Sequence, residues 1–288
     1  MKIISHANCA DGVTAAAVVD YWARKNKGEQ DITHVPMTYK TPFNVADIQK
    51  DEPVVIVDFS LSVGAMDTLL KITKNVVWID HHKSALDKYE NSEHKDSIKG
   101  IRSIDRSGAY LAWEFFFDTP VPRAIELVSD HDLWTHAFEE SDPFRQGMLL
   151  ISDGDPTNAI FWDPLFGEDS EDDVNQVIDV GNILEANADK YRRKAKGYEV
   201  EFEGLTFLTM NKLGNSNLFK YIDDGTCDGL MTWMFDGEDY IYSLYGSKAG
   251  QDQDLSKIAG RYGGGGHALA CGFMSKKFIA VGKGGDVH

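Results

Sequence analysis

Short apolar runs punctuate the N-terminal half of the chain, and each ends in polar residues that can carry chemistry. Lys2-Ile3-Ile4-Ser5, Val54-Val55-Ile56-Val57 and Val76-Val77-Trp78-Ile79 are continuous rather than alternating. That is the pattern of strands buried on both faces of a parallel sheet. Thr33 to Met37 is a weaker run, and its Pro36 predicts an edge position. Helical stretches lie between the strands. Val13 to Trp22 carries Ala15-Ala16-Ala17 and Val18-Val19 for close packing on a sheet, and Val63 to Ile72 is apolar at Met66, Leu69 and Leu70. Strands alternating with helices predict an α/β unit with a doubly wound parallel sheet. Gly100 to Ile104 is read as a further strand. Ser107 to Phe117 is read as a strongly apolar helix, and Arg123 to Val128 as the start of a helix that runs into Ser129-Asp130-His131-Asp132-Leu133-Trp134. Asp142 to Phe166 reads as helix plus loops.

The pattern changes after an acidic run, Glu168 to Asp173. Ser170 caps a long helix there, the acids complement its positive end, and its basic last turns and Gly197 match the other end. This helix, Glu171 to Lys196, is expected to bridge two domains. Beyond it, Glu199 to Met210, Gly229 to Phe235 and Tyr240 to Leu244 read as strands, and Leu255 to Tyr262 as a short helix. A glycine-rich loop and a last strand near Ala270 to Met274 follow. The expected organisation is a catalytic domain at 1–170, a linker helix at 171–197 and a smaller α/β C-terminal domain at 198–288.

Composition narrows the function. Of the 288 residues, 42% are apolar, enough for sizeable cores, and no stretch approaches a membrane helix. Met1 runs straight into a strand, which leaves no room for a signal peptide. Three widely spaced cysteines, Cys9, Cys227 and Cys271, fit a reducing cytoplasm rather than a disulfide framework. With 29 basic and 46 acidic residues the formal net charge is −17, which argues against gripping long DNA or RNA through its phosphates. It leaves room for a small anionic substrate held by metal ions.

The chemistry-bearing residues stand where the apolar runs stop. Asp11 follows the first strand, Asp58 the third, Asp80 the fourth, and Asp130 or Asp132 ends a later helix; His6, His81 and His82 join them. The C-terminal ends of parallel strands face one way, so the groups from the first, third and fourth strands are expected to converge. Converging carboxylates repel one another unless cations neutralise them. A pair of divalent ions does so and is a standard device for phosphoester hydrolysis. Oxygen and imidazole donors without cysteine suit manganese and leave cobalt, iron, zinc and magnesium open.

The same residues carry a family resemblance. The chain resembles the DHH phosphoesterase superfamily in the branch with a DHH-associated C-terminal domain. The carrying stretches are His6-Ala7-Asn8-Cys9-Ala10-Asp11-Gly12, Val57-Asp58, Asp80-His81-His82, Ser129 to Trp134, and Gly263-Gly264-Gly265-Gly266-His267 with Ala270 and Gly272. The resemblance implies a phosphodiesterase with two divalent ions, expected to be manganese. Its substrates would be short oligonucleotides or small linear or cyclic dinucleotides, cut to mononucleotides. It assigns His6 and Asp11 to one metal, Asp58 to both, and His81 and Asp130 to the other. His82 would face the scissile phosphate, and Asp80 would orient its neighbours. His267, the four glycines and Arg261 would contact substrate, the glycines by offering backbone N–H groups.

Two departures matter. No aspartate occurs among Asn8, Cys9 and Ala10, and Cys9 is read as a small buried residue. Tyr245 stands where related sequences often carry arginine; it is expected to stack on a base, with Lys248 or Arg261 gripping phosphate. His34, His94 and His136 are read as surface or structural, and Trp134 as packing beneath the metals. The apolar helix Ser107 to Phe117 is a candidate homodimer surface. The other readings are a pyrophosphatase or polyphosphatase of the same superfamily, and a catalytically weakened nucleotide-binding protein.

Overall fold

The computed structural model describes residues 1–280 apart from 8, 29–30, 40, 91, 93 and 95–96. Asn8 of the first motif and the last stretch of the expected C-terminal domain therefore lie outside the described residues. The continuous apolar runs become the parallel strands β1 (Lys2–His6), β2 (Thr33–Met37), β3 (Val54–Val57) and β4 (Val76–Ile79), in the order β2-β1-β3-β4. Ile4 lies opposite Val35 of β2 and Ile56 of β3, and Val57 lies opposite Ile79. Successive side chains point to opposite faces. Ile3, Val55, Val57 and Ile79 enter one apolar cluster, while Ile4, Val54, Ile56, Val76 and Trp78 enter another. Both faces are thus covered, as a doubly wound sheet requires.

The first cluster is built on α1 (Ala10–Trp22), buried along Ala10 to Asp20. Around it stand α4 (Gly108–Phe116), α5 (Arg123–Asp132), α6 (Ser141–Ser152), α7 (Ala159–Leu165) and the start of α8 (Glu171–Arg192). The opposite face carries α2 (Val63–Ile72) and α3 (Lys83–Tyr89). Gly181 of α8 packs so closely on α6 that a Cβ there would sit 1.7 Å from the Pro143 carbonyl oxygen. Trp113 of α4 is 3% exposed in the first cluster.

The expected strand Gly100 to Ile104 is reduced to single bridges, Val77 with Lys99 and Asp80 with Arg102. Gly100 at φ +134° interrupts the extended run, and a Cβ there would lie 1.9 Å from the Trp78 carbonyl oxygen.

The chain divides into two compact units, Met1–Glu185 and a second beginning at Ala186, with the division inside α8. The second unit holds a mixed sheet in the order β5-β6-β7-β8-β10-β9. Its strands are β5 (Tyr198–Phe202), β6 (Leu205–Asn211), β7 (Gly229–Phe235), β8 (Tyr240–Gly246), β9 (Gly265–His267) and β10 (Ala270–Ser275), with α9 (Ser256–Arg261) beside them. The single strand expected over Glu199 to Met210 is a hairpin. Glu203 and Gly204 both take positive φ, 54° and 80°, the signature of a tight two-residue turn. Val200, Phe207, Tyr242, Leu244, Ile258 and Phe273 form the core of this unit. Among the described residues, no helix is long and apolar enough to cross a membrane.

Candidate metal centre

In an open parallel sheet, ligands sit beyond the strand C-termini where the strand order reverses. Here the reversal falls between β1 and β3; β1 ends at His6, and β3 ends at Val57, directly before Asp58. Asp58 is fully buried and takes φ +51°, a left-handed conformation that aspartate tolerates better than most residues. Its Oδ1 lies 3.0 Å from Nε2 of His81 and 3.8 Å from Nδ1 of His82. Its Oδ2 lies 3.9 Å from Nδ1 of His6 and has no hydrogen-bond partner among the described residues.

His81 draws the other strand ends together. Its Nε2 is 3.5 Å from Oδ2 of Asp11 and 3.5 Å from Oδ2 of Asp132. Asp11, expected in a loop, lies in the first turn of α1, which begins three residues earlier than its apolar pattern does. Its carboxylate caps a different helix: the N–H groups of Gly108 and Ala109, opening α4, donate to it at 2.6 and 2.9 Å. Glycine is required at both close approaches. A Cβ on Gly12 would sit 2.3 Å from the His6 carbonyl oxygen, and one on Gly108 would sit 2.6 Å from Cβ of Asp58.

One expected ligand is corrected. Asp130 is not among the convergent groups, because its carboxylate ties down the turn after α5. It accepts from the Thr135 hydroxyl at 2.6 Å, the Ala137 and Phe138 N–H groups at 2.8 and 3.3 Å, and the Ser141 hydroxyl at 2.5 Å. Asp132, two residues on, faces the cluster, and its buried Oδ2 has no hydrogen-bond partner among the described residues. Two acids two residues apart on a helix point in different directions, which pattern alone could not assign. Trp134 packs not beneath the cluster but edge-on to His131 and His136, at centroid distances of 5.5 and 4.2 Å.

Asp80 behaves as a positioning group. Its Oδ1 accepts from the N–H groups of His81 and His82 at 2.8 and 3.2 Å and pairs with Nδ1 of His82 at 2.8 Å, while the Ser60 hydroxyl donates to Oδ2. Ser60 gave no signal in the sequence.

The electrostatics separate two kinds of acid. Burial opposes ionisation of Asp80, but the charge and hydrogen bond of His82 outweigh it and hold the carboxyl below its usual range. Burial likewise disfavours charge on His82, yet Asp80 raises it to about 9. Asp58 is pushed well above the carboxylate range by burial and then by Asp11, and Asp132 is raised to about 6 by the same two causes. Burial and then His82 lower His6 to about 4. Burial, then Asp58 and Asp132, holds the Cys9 thiol well above its ordinary range. Crowded, buried and partnerless oxygens on Asp58 and Asp132, with imidazoles beside them, are donors suited to a divalent cation. Asp11, Asp58 and His81 offer atoms within 4.8 Å of one another, as do His6, Cys9 and Asp58.

The chain is similar to the DHH domain of a member of a ribosomal-protein family, with a TM-score of 0.51 and 16% identity over 95% of this chain and 82% of that one. The fold is that of DHH-domain proteins. An exopolyphosphatase-related protein from Bacteroides fragilis matches with a TM-score of 0.50 and 11% identity, over 98% of this chain and 87% of the other. In sequence, the chain is 23% identical over 300 residues to an uncharacterized protein of Acanthamoeba polyphaga mimivirus. It is matched over 94% of its own length and spans 66% of that relative. No family model matches the chain.

In this DHH fold the second unit places the glycine motif at a helix end and a sheet edge. The N–H groups of Gly263 and Gly264 donate to carbonyls of α9, Gly260 at 3.1 Å and Ala259 at 2.9 Å, so two of the four expected phosphate-facing amides close the helix. Gly265 to His267 forms the edge strand β9, with His267 opposite Ala270. Arg261 pairs with Glu203 at 3.2 Å, and the Lys248 ammonium donates to the Asp223 carbonyl. Tyr245 is not a stacking platform: its hydroxyl donates to the Gly214 carbonyl at 3.0 Å, and its ring packs against Met210, Phe219 and Leu230. His34 pairs with Asp20 at 3.2 Å and His94 pairs with Asp67, both outside the cluster. An aromatic that the sequence did not single out does border the centre. Tyr39 is 60% exposed, stacks on Phe59 at 4.8 Å and lies 5.7 Å from the His6 ring.

Proposed function

We propose that the chain is a divalent-metal phosphoesterase. Its substrates are short oligonucleotides or small linear or cyclic dinucleotides, which it hydrolyses to mononucleotides. The observation that carries this reading is the convergence of Asp11, Asp58, His81 and Asp132 beyond the sheet, with two buried carboxylate oxygens that find no hydrogen-bond donor among the described residues. His6 and Asp58 would hold one ion, and His81 with Asp132 and Asp11 the other, with Asp58 between the two sets; manganese is the expected metal. Bound divalent ions supply Lewis-acid polarisation of the phosphoryl oxygens and an activated nucleophile. The protein's own part is placement. Asp80 orients His82 through its Nδ1, so that the imidazole faces the substrate phosphate. Tyr39 offers a face to a base. The formal charge of −17 supports small substrates over long duplexes, and three free cysteines fit a cytoplasmic setting.

The test is incubation with manganese and a panel of dinucleotides, short labelled RNA and DNA, cyclic dinucleotides and pyrophosphate. Mononucleotide release that disappears in Asp58→Ala and in a double His81→Ala, His82→Ala variant is expected. Phosphate from pyrophosphate alone would move the protein to the pyrophosphatase or polyphosphatase class. Turnover retained in both variants would overturn the assignment of the centre.

A further inference from the structure

We propose that Cys9 is a metal ligand, so that one ion of the candidate centre is held by a thiolate, an imidazole and a carboxylate from Cys9, His6 and Asp58. The inference deepens the metal reading above and rests on it. The donor atoms of these three residues lie within 4.8 Å of one another, close enough for small side-chain shifts to bring all three to about 2.0–2.3 Å from a single ion. Asp58 is fully buried, and its Oδ2 and Nδ1 of His6 are buried polar atoms with no hydrogen bond among the described residues. His6 and Asp58 belong to the same group of donors as Cys9. Cys9 occupies the N-cap of α1, and Gly12 in the first turn of that helix lies close against the carbonyl oxygen of His6 at the end of β1.

The chemistry follows from the donor set. On binding, the thiol gives its proton to solvent and the sulfur becomes a soft anionic donor. Such a donor favours zinc, ferrous iron or cobalt over manganese or magnesium at that position. The neighbouring donors, Asp11, His81 and Asp132, remain oxygen and nitrogen. The centre is then chemically asymmetric, with one position for a borderline metal and one for a harder ion. This revises the reading of Cys9 as a small buried spacer.

The test titrates the metal-free, full-length protein with cobalt(II) under anaerobic conditions and records its absorption. The expected result is a near-ultraviolet thiolate-to-cobalt charge-transfer band. It should be lost in Cys9→Ser and retained in Cys227→Ser and Cys271→Ser, whose thiols lie in the second unit. Cys9→Asp should bind cobalt without the band and shift the manganese-to-zinc preference toward manganese. X-ray absorption on the zinc-loaded wild type needs no variant and should show a sulfur scatterer at about 2.3 Å. Ligand-field bands without charge transfer, a band that survives Cys9→Ser, or zinc with only nitrogen and oxygen neighbours would overturn the inference and leave the metal reading standing. No retained cobalt, manganese or zinc by equilibrium dialysis would overturn both.

Discussion

Gly108→Ala probes the tightest contact around the centre. Alanine is ordinarily the better residue in a helix, and where the conformation suits it the exchange stabilises a protein by about 0.4–1 kcal/mol. Gly108 opens α4 without a positive φ, so backbone strain plays no part. The added Cβ, however, would stand 2.6 Å from Cβ of Asp58, 2.9 Å from its Oδ1 and 3.0 Å from Oδ2 of Asp11. Carbon atoms in good contact are about 3.5–4.0 Å apart, so the overlap is about 1 Å. No flexible chain end can yield, because both aspartates are buried and Asp11 is tied to the N–H groups of the same helix. Overpacking of this kind costs about 1–3 kcal/mol. Set against the helical gain, the net loss is about 1–2 kcal/mol, or about 2–8 °C in Tm for a unit of this size. The control is Gly64→Ala in α2, where a Cβ meets nothing within 4 Å and the gain stands alone. Calorimetry of metal-free protein should therefore move the two variants in opposite directions. Divalent-metal affinity should fall about tenfold or more in Gly108→Ala only. A Gly108→Ala protein as stable as Gly64→Ala, with undiminished metal binding, would refute the account of α4 as a wall of the centre.

Three further outcomes are expected. Asp132→Asn should weaken metal binding by about 1.4 kcal/mol or more while the fold persists, whereas Asp130→Ala should lower stability by about 2 kcal/mol through loss of charge-assisted hydrogen bonds; isothermal titration and chemical denaturation separate the two. Chelation should lower Tm, and manganese at about 100 times its Kd should restore about 2.7 kcal/mol, an increment absent in Asp58→Asn by scanning fluorimetry. Asp163 is opposed by burial but held below the usual carboxylate range by Arg24 and Lys25. A depressed folded pKa means that its contribution is present above the unfolded value near 3.9 and is lost as pH falls through the folded value. The stability difference between wild type and Asp163→Asn should hold at neutral pH and shrink below about pH 4 in acid titrations followed by circular dichroism.

The parallel sheet was legible because continuous apolar runs leave little choice, and Val54–Val57 and Val76–Ile79 match their runs residue for residue. The positions of Asp58, Asp80, His81 and His82 followed from that sheet. Legibility failed where direction and local chemistry decide. Period alone could not show that Asp130 turns toward Ser141 while Asp132 turns toward His81. Alternation over Glu199 to Met210 hid a hairpin because Glu203, a poor turn former, takes the left-handed conformation beside Gly204. The glycine run reads as a row of free amides, yet two of them belong to the end of α9. Tyr39 escapes notice because an isolated tyrosine in a loop carries no pattern.

The bond from the Gly108 N–H to Asp11 spans 97 residues of sequence, and its acceptor is an acid of the cluster. During synthesis, Asp11, Asp58 and His81 all emerge from the ribosome before the helix that seats Asp11 and well before Asp132. A nascent chain can therefore pair its strands early but cannot complete the centre until α4 and α5 have folded against it. On the proposed metal reading, loading is a late checkpoint on a finished N-terminal unit. A truncated or misfolded chain that has formed only the sheet would be left with an acidic edge that captures no ion and gains no stability from it.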